Sequence, residues 1–288
     1  MKKFAIVGNG YNVTKAVTMQ IAQLKEELNN LGAEVDILYT DKILVYLNEN
    51  SPKSSIGEYE LIIYLDKDLY ISHMLEMCGY KLVNSAKAIE ICDDKLKTYL
   101  NLAGKLPIPK TVSSPLIYSS NVDSFYLEVE NKLSYPIVVK EVYGSMGNRV
   151  HLVSNQAELK ALREKLISVP HLYQEFVGSY GQDLRVIVIG GKAVAAMIRR
   201  NENDFRSNIE LGGTGLPHTL NEKERELAEL CAKELGLDYC GVDILSKNGK
   251  YYICEVNSNA FWKGISAVTN INVAKLYAEY LISLAKNS

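Results

Sequence analysis

The residues best suited to chemistry lie near the C-terminal end of the chain. Asp243 sits in Gly241-Val242-Asp243-Ile244-Leu245, and Cys254-Glu255-Val256-Asn257 follows across the turn Lys247–Lys250. Residues 255 and 257 share one face of a strand, because side chains alternate. If the two strands pair, Asp243 faces the same side. Two carboxylates and an amide oxygen are hard ligands. They suit Mg²⁺ or Mn²⁺, which prefer oxygen and share their coordination with substrate phosphates. Carboxylates set side by side without a cation would repel and raise one another's pKa. The alternative is a surface hairpin with scattered polar groups. Both strands are otherwise apolar (Val242, Ile244, Leu245; Tyr252, Ile253, Val256), so polar groups embedded in them need a reason.

Two further stretches could meet a nucleotide. In Lys140-Glu141-Val142-Tyr143-Gly144-Ser145-Met146-Gly147 a lysine ends an apolar strand and a Gly-Ser-x-Gly turn follows. Glycines let backbone N–H groups close on an anion, and the lysine supplies a point charge to the same phosphates. A hairpin turn beside an exposed lysine would read the same way. It is not a P-loop, since the lysine precedes the glycines. Tyr173-Gln174-Glu175-Phe176-Val177 is extended, and Gly178 to Asp183 follows it. Free main-chain groups there could pair with an adenine edge, with Asp183 placed for ribose hydroxyls; an edge strand with an exposed Asp is the plainer reading.

The elements around these residues form three segments. Residues 1–90 alternate strand and helix: Phe4–Val7, a helix over Thr14–Leu31 stopped by Gly32, then Val35–Tyr39 and Leu61–Leu65. Purely apolar strands of this kind belong to a parallel sheet covered on both faces. Gly8-Asn9-Gly10 is not a dinucleotide fingerprint, because Val13 stands where the third glycine is needed. Residues 91–172 form a central segment. A helix over Asn84–Ala103 leads into it, Pro107-Ile108-Pro109 marks a boundary, and strands Pro136–Glu141 and Arg149–Val153 flank the glycine turn. Residues 173–288 contribute strands at Leu184–Ile189, Ala193–Arg199, Val242–Leu245 and Tyr251–Val256, with helices at Glu222–Leu235 and Asn272–Ala285.

With 288 residues, 47% hydrophobic and 23% charged, the chain can bury a sizeable core. A net charge of −2 offers no global attraction to nucleic acid or an anionic membrane. Five scattered cysteines without a C-x-x-C pair read as reduced thiols. No apolar run approaches a membrane span and the N-terminus does not read as a secretory signal, so a soluble cytoplasmic protein is expected.

In order along the chain, these pieces resemble the ATP-grasp superfamily, and within it the RimK-like branch that includes ribosomal protein S6 glutamate ligase and LysX-type ligases. The matching pieces are Asp94-Lys95, Pro107 to Thr111, Val138 to Lys140 with Gly144 to Gly147, Gln174 to Val177, and Asp183-Leu184-Arg185. They continue through Val194 to Arg200, Phe205 to Asn208 before Gly212-Gly213, Gly241 to Ile244, and Glu255 to Asn257. The resemblance spans about residues 84–285; the N-terminal segment fits only in general layout.

It implies an α/β fold of α+β lobes, an ATP-grasp fold behind a Rossmann-like N-terminal lobe. It also implies an ADP-forming ligase that joins a carboxylate to an amine through an acylphosphate, with an amino acid such as glutamate as amine. Lys95 and Lys140 would hold the ATP phosphates under a flap carrying Ser145. Glu175, Phe176 and Val177 would take adenine, Asp183 the ribose, and Arg206, Ser207 and Asn208 would extend the nucleotide site. Asp243, Glu255 and Asn257 would hold Mg²⁺ or Mn²⁺. Arg185, Arg199 and Arg206 are candidates for the substrate carboxylate and its developing charge, since an arginine fork suits carboxylate and phosphate alike. The partners implied are ATP, a carboxylate and an amine, with neither nucleic acid nor membrane, and homo-oligomers left open.

The chain departs from the family pattern twice. Arg149 stands where many relatives have glycine, and Ser258-Asn259-Ala260-Phe261-Trp262 replaces Ala-Ser-Pro-Gly. The second stretch borders the acceptor side, and Trp262 is expected to line that pocket. A regulatory ATP-binding protein without turnover is the alternative from another class, and phosphotransfer to a non-carboxylate is a third. The presence of both lysines and all three metal-ligand positions argues against the regulatory reading.

Overall fold

The computed structural model describes residues 2–49, 51–117, 124–145 and 147–286; Met146 of the glycine turn lies outside them. The first lobe contains β1 (Lys3–Gly8), α1 (Lys15–Asn30), β2 (Glu34–Tyr39), the hairpin β3 (Val45–Leu47) and β4 (Pro52–Ser54), β5 (Leu61–Leu65), α2 (Leu69–Met77) and β6 (Leu82–Val83). Its main sheet is parallel, in the order β2-β1-β5-β6. Leu61–Leu65 is buried throughout, because successive side chains enter two different cores.

Two helices follow, α3 (Ala86–Asp93) and α4 (Lys95–Leu102), where the hydrophobic pattern suggested one. Asp94 breaks the helix: its backbone is extended and its side chain caps α4 by accepting from the N–H of Lys97. Lys95 thereby becomes the first residue of α4, with its own N–H on the carbonyl of Val142.

The central lobe holds β7 (Thr111–Ser113), α5 (Phe125–Lys132), β8 (Ile137–Glu141), β9 (Val150–Val153), α6 (Gln156–Lys165) and β10 (His171–Glu175). Its sheet runs β7-β10-β8-β9, antiparallel throughout. Strand β10, which the sequence reading divided between the second and third segments, belongs to this sheet along its whole length. Ile137, Val139 and Tyr173 pack with Val129 and Leu159 of the two helices. The opposite parity, Val138, Lys140 and Gln174, faces a cavity shared with the third lobe.

The third lobe comprises β11 (Gln182–Ile189), β12 (Lys192–Arg200), β13 (Thr214–Pro217), α7 (Glu222–Glu234), β14 (Tyr239–Lys247), β15 (Lys250–Asn257), α8 (Lys263–Thr269) and α9 (Val273–Lys286). Its sheet runs β13-β12-β11-β14-β15. One face, with Val186, Val188, Val242 and Ile244, packs on α3, α4 and α7. The other is apolar at one end, where Ile187, Ile189, Met197 and Tyr239 share a core with Phe4, Ile6 and Leu24 of the first lobe. Its other end is charged.

Asn84 fastens the first and third lobes together. Its amide donates to the carbonyls of Tyr239 and Ser258 and accepts from the N–H groups of Asp238 and Tyr239, exhausting its hydrogen-bonding capacity. All five cysteines are free. Among the described residues, no helix is long and apolar enough to cross a membrane.

Candidate functional site

The charged end of the third sheet is built by register. Asp183 lies opposite Arg199, Arg185 opposite Asp243, Asp243 opposite Glu255, and Gly241 opposite Asn257. Facing residues of antiparallel neighbours share a side, so these groups crowd onto one surface. Arg199 grips Asp183 through Nε at 2.8 Å and Nη2 at 2.5 Å, and its Nη2 also lies 2.8 Å from Asp243 Oδ2. Arg185 holds Asp243 from the other side, through Nε to Oδ1 and Nη2 to Oδ2. Burial pushes the Asp243 carboxyl up, but the two arginines more than offset it and hold the group below the usual carboxylate range.

The strand carrying Glu255 is irregular. Asp243 pairs with Glu255 but Ile244 pairs with Ile253, leaving Cys254 bulged. Two residues then oppose one, and alternation is suspended for a step. Ile253 and Val256 stay in the core while Cys254 and Glu255, consecutive in sequence, both line the cavity. Burial pushes the Cys254 thiol up to about 11, so it is neutral near pH 7.

The central lobe presents its lysines to this bulge. Lys140, 5% exposed, donates to the Tyr99 hydroxyl at 3.1 Å and the Cys254 carbonyl at 3.4 Å, and its Nζ lies 3.7 Å from the Cys254 sulfur. The Tyr99 hydroxyl donates in turn to the Cys254 carbonyl. Lys95, 7% exposed, donates to the Gly144 carbonyl at 2.6 Å and stands 3.9 Å from Glu255 Oε1. Burial lowers the Lys95 pKa and the charge of Lys140 lowers it further, while Glu255 opposes both. Two buried ammonium groups with one distant carboxylate between them form a seat for an anion.

Beside Lys140 lies a cavity lined by both sheets. Lys140, Glu175, Phe176, Val177, Asp183, Arg199, Arg206, Ser207, Asn208, Asp243 and Glu255 line it. The β10 ladder ends at Glu175, whose N–H pairs with the Lys110 carbonyl and whose carboxylate accepts the Lys110 N–H at 2.7 Å. Phe176 and Val177 then run free of the sheet along the wall. Lys95, Ser145, Arg185 and Asn257 lie outside the lining.

Arg206 does not point free into the cavity. Its Nε and Nη2 are held by Asp204 at 2.9 and 2.6 Å, and its Nη1 donates to the Gly147 carbonyl at 2.7 Å. Gly147 has φ +73°, a conformation that favours glycine, and a Cβ there would come within 2.8 Å of Asn208 Oδ1, which would have to shift. Arg149, the first departure from the family pattern, turns to Glu141 at 3.3 Å.

Trp262 corrects an expectation. It is 2% exposed and sits edge-on to Tyr239 at 5.8 Å, with its indole N–H on Gln23 at 3.0 Å. It packs the core between the first and third lobes and does not line a pocket. Asn259 is the residue of this stretch that faces a polar seam. Its amide donates to the Leu65 carbonyl at 2.8 Å and accepts from Gln20 at 3.0 Å.

The family model described as the RimK-like ATP-grasp domain matches residues 92–281. This chain belongs to the RimK-like ATP-grasp family. Beta-citrylglutamate synthase B of Danio rerio is 34% identical over 282 residues, covering 91% of this chain and 68% of that one. N-acetylaspartylglutamate synthase A of Homo sapiens is 34% identical over 228 residues, covering 77% of this chain but only 57% of that relative's length. Among solved structures, the ATP-grasp ligase PsnB complexed with its minimal precursor superposes with a TM-score of 0.73. It is 20% identical and covers 98% of this chain and 99% of that one, a likeness of fold.

Solved ATP-grasp ligases hold Mg and ADP, or ATP, and the donor set of this RimK-like chain can be judged against a divalent cation. Among the described residues no three His, Cys, Asp or Glu side chains form a cage of their own. What is present is a pair of acids in register, with Asn257 two residues beyond Glu255 on the same strand. Among the described residues Glu255 has no ion pair closer than 3.9 Å, and its side chain is 23% exposed. Asp243 has spare lone pairs beyond those the arginines use. The residues fit a cation whose remaining ligands are phosphate and water oxygens.

Proposed function

We propose that this chain is an ADP-forming carboxylate–amine ligase, with ATP between the central and third sheets. The observation that carries the reading is that the buried ammonium of Lys140 lines one cavity with the acidic pair Asp243 and Glu255, with the buried ammonium of Lys95 3.9 Å from Glu255. Adenine lies along Phe176 and Val177, with Asp183 near the ribose. Lys95 and Lys140 hold the phosphates, and Ser207 and Asn208 shape the wall opposite. Asp243, Glu255 and Asn257 hold Mg²⁺, which neutralises phosphate charge when bound. Arg185 and Arg199 keep Asp243 ionised and fixed.

The γ-phosphoryl group passes to a carboxylate oxygen and ADP leaves. The amine nitrogen then attacks the acyl carbon, phosphate departs, and the nitrogen gives up its proton. Positioning and charge neutralisation supply the rate, and the glycine turn excludes water that would hydrolyse the acylphosphate. Both relatives named above are synthases of a glutamate conjugate, which supports L-glutamate as the amine.

The reading is tested by measuring ADP release with Mg·ATP, L-glutamate and a panel of carboxylates that includes citrate and N-acetyl-L-aspartate. Products are weighed by mass spectrometry. Amide formation matched to ADP release is expected. ATP binding without ADP release over a broad panel of carboxylates and amines would instead mark a regulatory nucleotide binder.

A further inference from the structure

The first lobe has a switch point the nucleotide site does not use. From β1 the chain passes to β2 on one side, then returns to β5 on the other. Ligands of open parallel sheets bind outside the carboxyl ends of the strands at such a point. The two strand ends here are followed by Asn9 and Asp66. Asn9 Nδ2 donates to both Asp66 oxygens at 3.1 Å, and the backbone N–H of Lys67 adds a bond at 2.7 Å.

Asp66 is 8% exposed. Burial pushes its carboxyl up, and the negative charges of Asp68 and Asp93 push the same way. Among the described residues no cation pairs with it; the Lys67 ammonium turns to Asp93 at 3.0 Å. All its donors are neutral. A buried carboxylate in that state is costly until a positive charge joins it.

Polar groups near the Leu65 carbonyl are short of partners too. Asn259 bridges from the Leu65 carbonyl to Gln20. Beside it the buried Gln20 Oε1 and Ser258 Oγ have no hydrogen-bond partner among the described residues. Ser258 directly follows Asn257, so the seam adjoins the acidic end of β15. Lys67 and Asp93 stand close enough to act on the charge of Lys95. An ammonium brings three N–H donors and one positive charge, which is what these groups lack.

We propose that Asp66, oriented by Asn9, recognises the ammonium of the amine substrate, an amino acid of the glutamate type. The assignment rests on the ligase reading and deepens it. Asn9 is a positioning residue, and Asp66 sets specificity for the nitrogen.

The test compares wild type with Asp66→Asn, using L-glutamate as amine and following ADP and amide. KM for L-glutamate is expected to rise about tenfold to a hundredfold, the worth of a lost charge-assisted hydrogen bond, with KM for ATP unchanged. An unchanged KM for L-glutamate overturns the assignment, and so does a parallel loss toward ATP. A second arm needs no variant: glutarate, which lacks the ammonium, should inhibit wild type with a Ki at least about tenfold above the KM for L-glutamate. Equal affinity for the two overturns the proposal even if Asp66→Asn fails to fold. A wild-type enzyme that forms no amide with any amine refutes the ligase reading itself, and the assignment falls with it.

Discussion

Arg206 Nη1 donates to the carbonyl of Gly147 at 2.7 Å, tying the third lobe to the glycine turn of the central one. The guanidinium is aimed by Asp204, two residues earlier, so the bond is preorganised. A second tie, from Lys95 Nζ to the Gly144 carbonyl, holds the other end of the same turn. The two ties differ in kind. On the ligase reading, Lys95 would exchange its partner when phosphates arrive, whereas Arg206 is already held by Asp204. The turn is therefore anchored at Gly147 and adjustable at Gly144.

Replacing Arg206 with Ala should loosen the cover over the phosphates more than it weakens nucleotide binding. Amide formation is expected to fall about tenfold to a hundredfold, the cost of one well-placed charged donor. ADP release should fall less, because water then reaches the acylphosphate. The check is the ratio of ADP released to amide formed. A ratio that stays at wild-type value would mean that Arg206 does not govern closure.

Glu255→Ala should abolish turnover with little loss of stability. Among the described residues its one ion-pair contact is Lys95 at 3.9 Å, a partly exposed and weak interaction. Its loss as a metal ligand should cost about a hundredfold to a thousandfold in kcat. Titration with MgCl₂ should show a raised Mg²⁺ requirement, while the thermal midpoint stays near wild type. Near wild-type activity would remove Glu255 from the metal site.

Much of this site was legible in the sequence because it is carried by strand parity. Asp243, Lys140 and Asp183 sit at positions whose alternation against apolar neighbours marks them as facing away from a core, whereas Glu255 shares the parity of buried Ile253 and reaches the cavity only through the bulge. The parts that were not legible depend on register between distant strands. The bulge at Cys254 arises from how β14 and β15 align, and nothing in Tyr252-Ile253-Cys254-Glu255 announces it. Tyr99 entered the site only because Asp94 breaks the preceding helix and re-aims α4. Arg206 is a different case. The Asp204-Phe205-Arg206 spacing was visible, and a carboxylate two residues away was a local signal that the guanidinium is already engaged.

Lys95→Met should stabilise the protein while silencing it. Burial holds the native Lys95 pKa below its ordinary 10.5. The unfolded chain therefore keeps this proton more readily than the native one. The resulting penalty is fully present below the native value and is relieved as pH climbs towards 10.5. At neutral pH, Met in place of the ammonium removes that cost, and the thermal midpoint should rise by a few degrees. The gain over wild type should shrink as pH approaches 10.5. ADP release should be lost at every pH. A destabilised variant, or a difference independent of pH, would contradict this account of Lys95.

Trp262 separates a core residue from a pocket residue. It packs edge-on against Tyr239 and Tyr277 between the first and third lobes, and Ala there should cost about 3–5 kcal/mol in urea unfolding, as for other buried aromatics. Trp262→Phe keeps most of the volume but loses the N–H bond to Gln23. It should cost about 1–2 kcal/mol and leave KM for L-glutamate and for the carboxylate where they were. The two substitutions thus predict a graded loss of stability with no change in substrate affinity among the folded molecules. A KM shift in Trp262→Phe larger than its stability loss explains would return the indole to the acceptor pocket. In that event the Ser258–Trp262 stretch would set specificity through its aromatic end. With KM unchanged, what this stretch contributes to the substrate side narrows to its polar residues, Ser258 and Asn259, the latter bonded to Gln20 and to the Leu65 carbonyl.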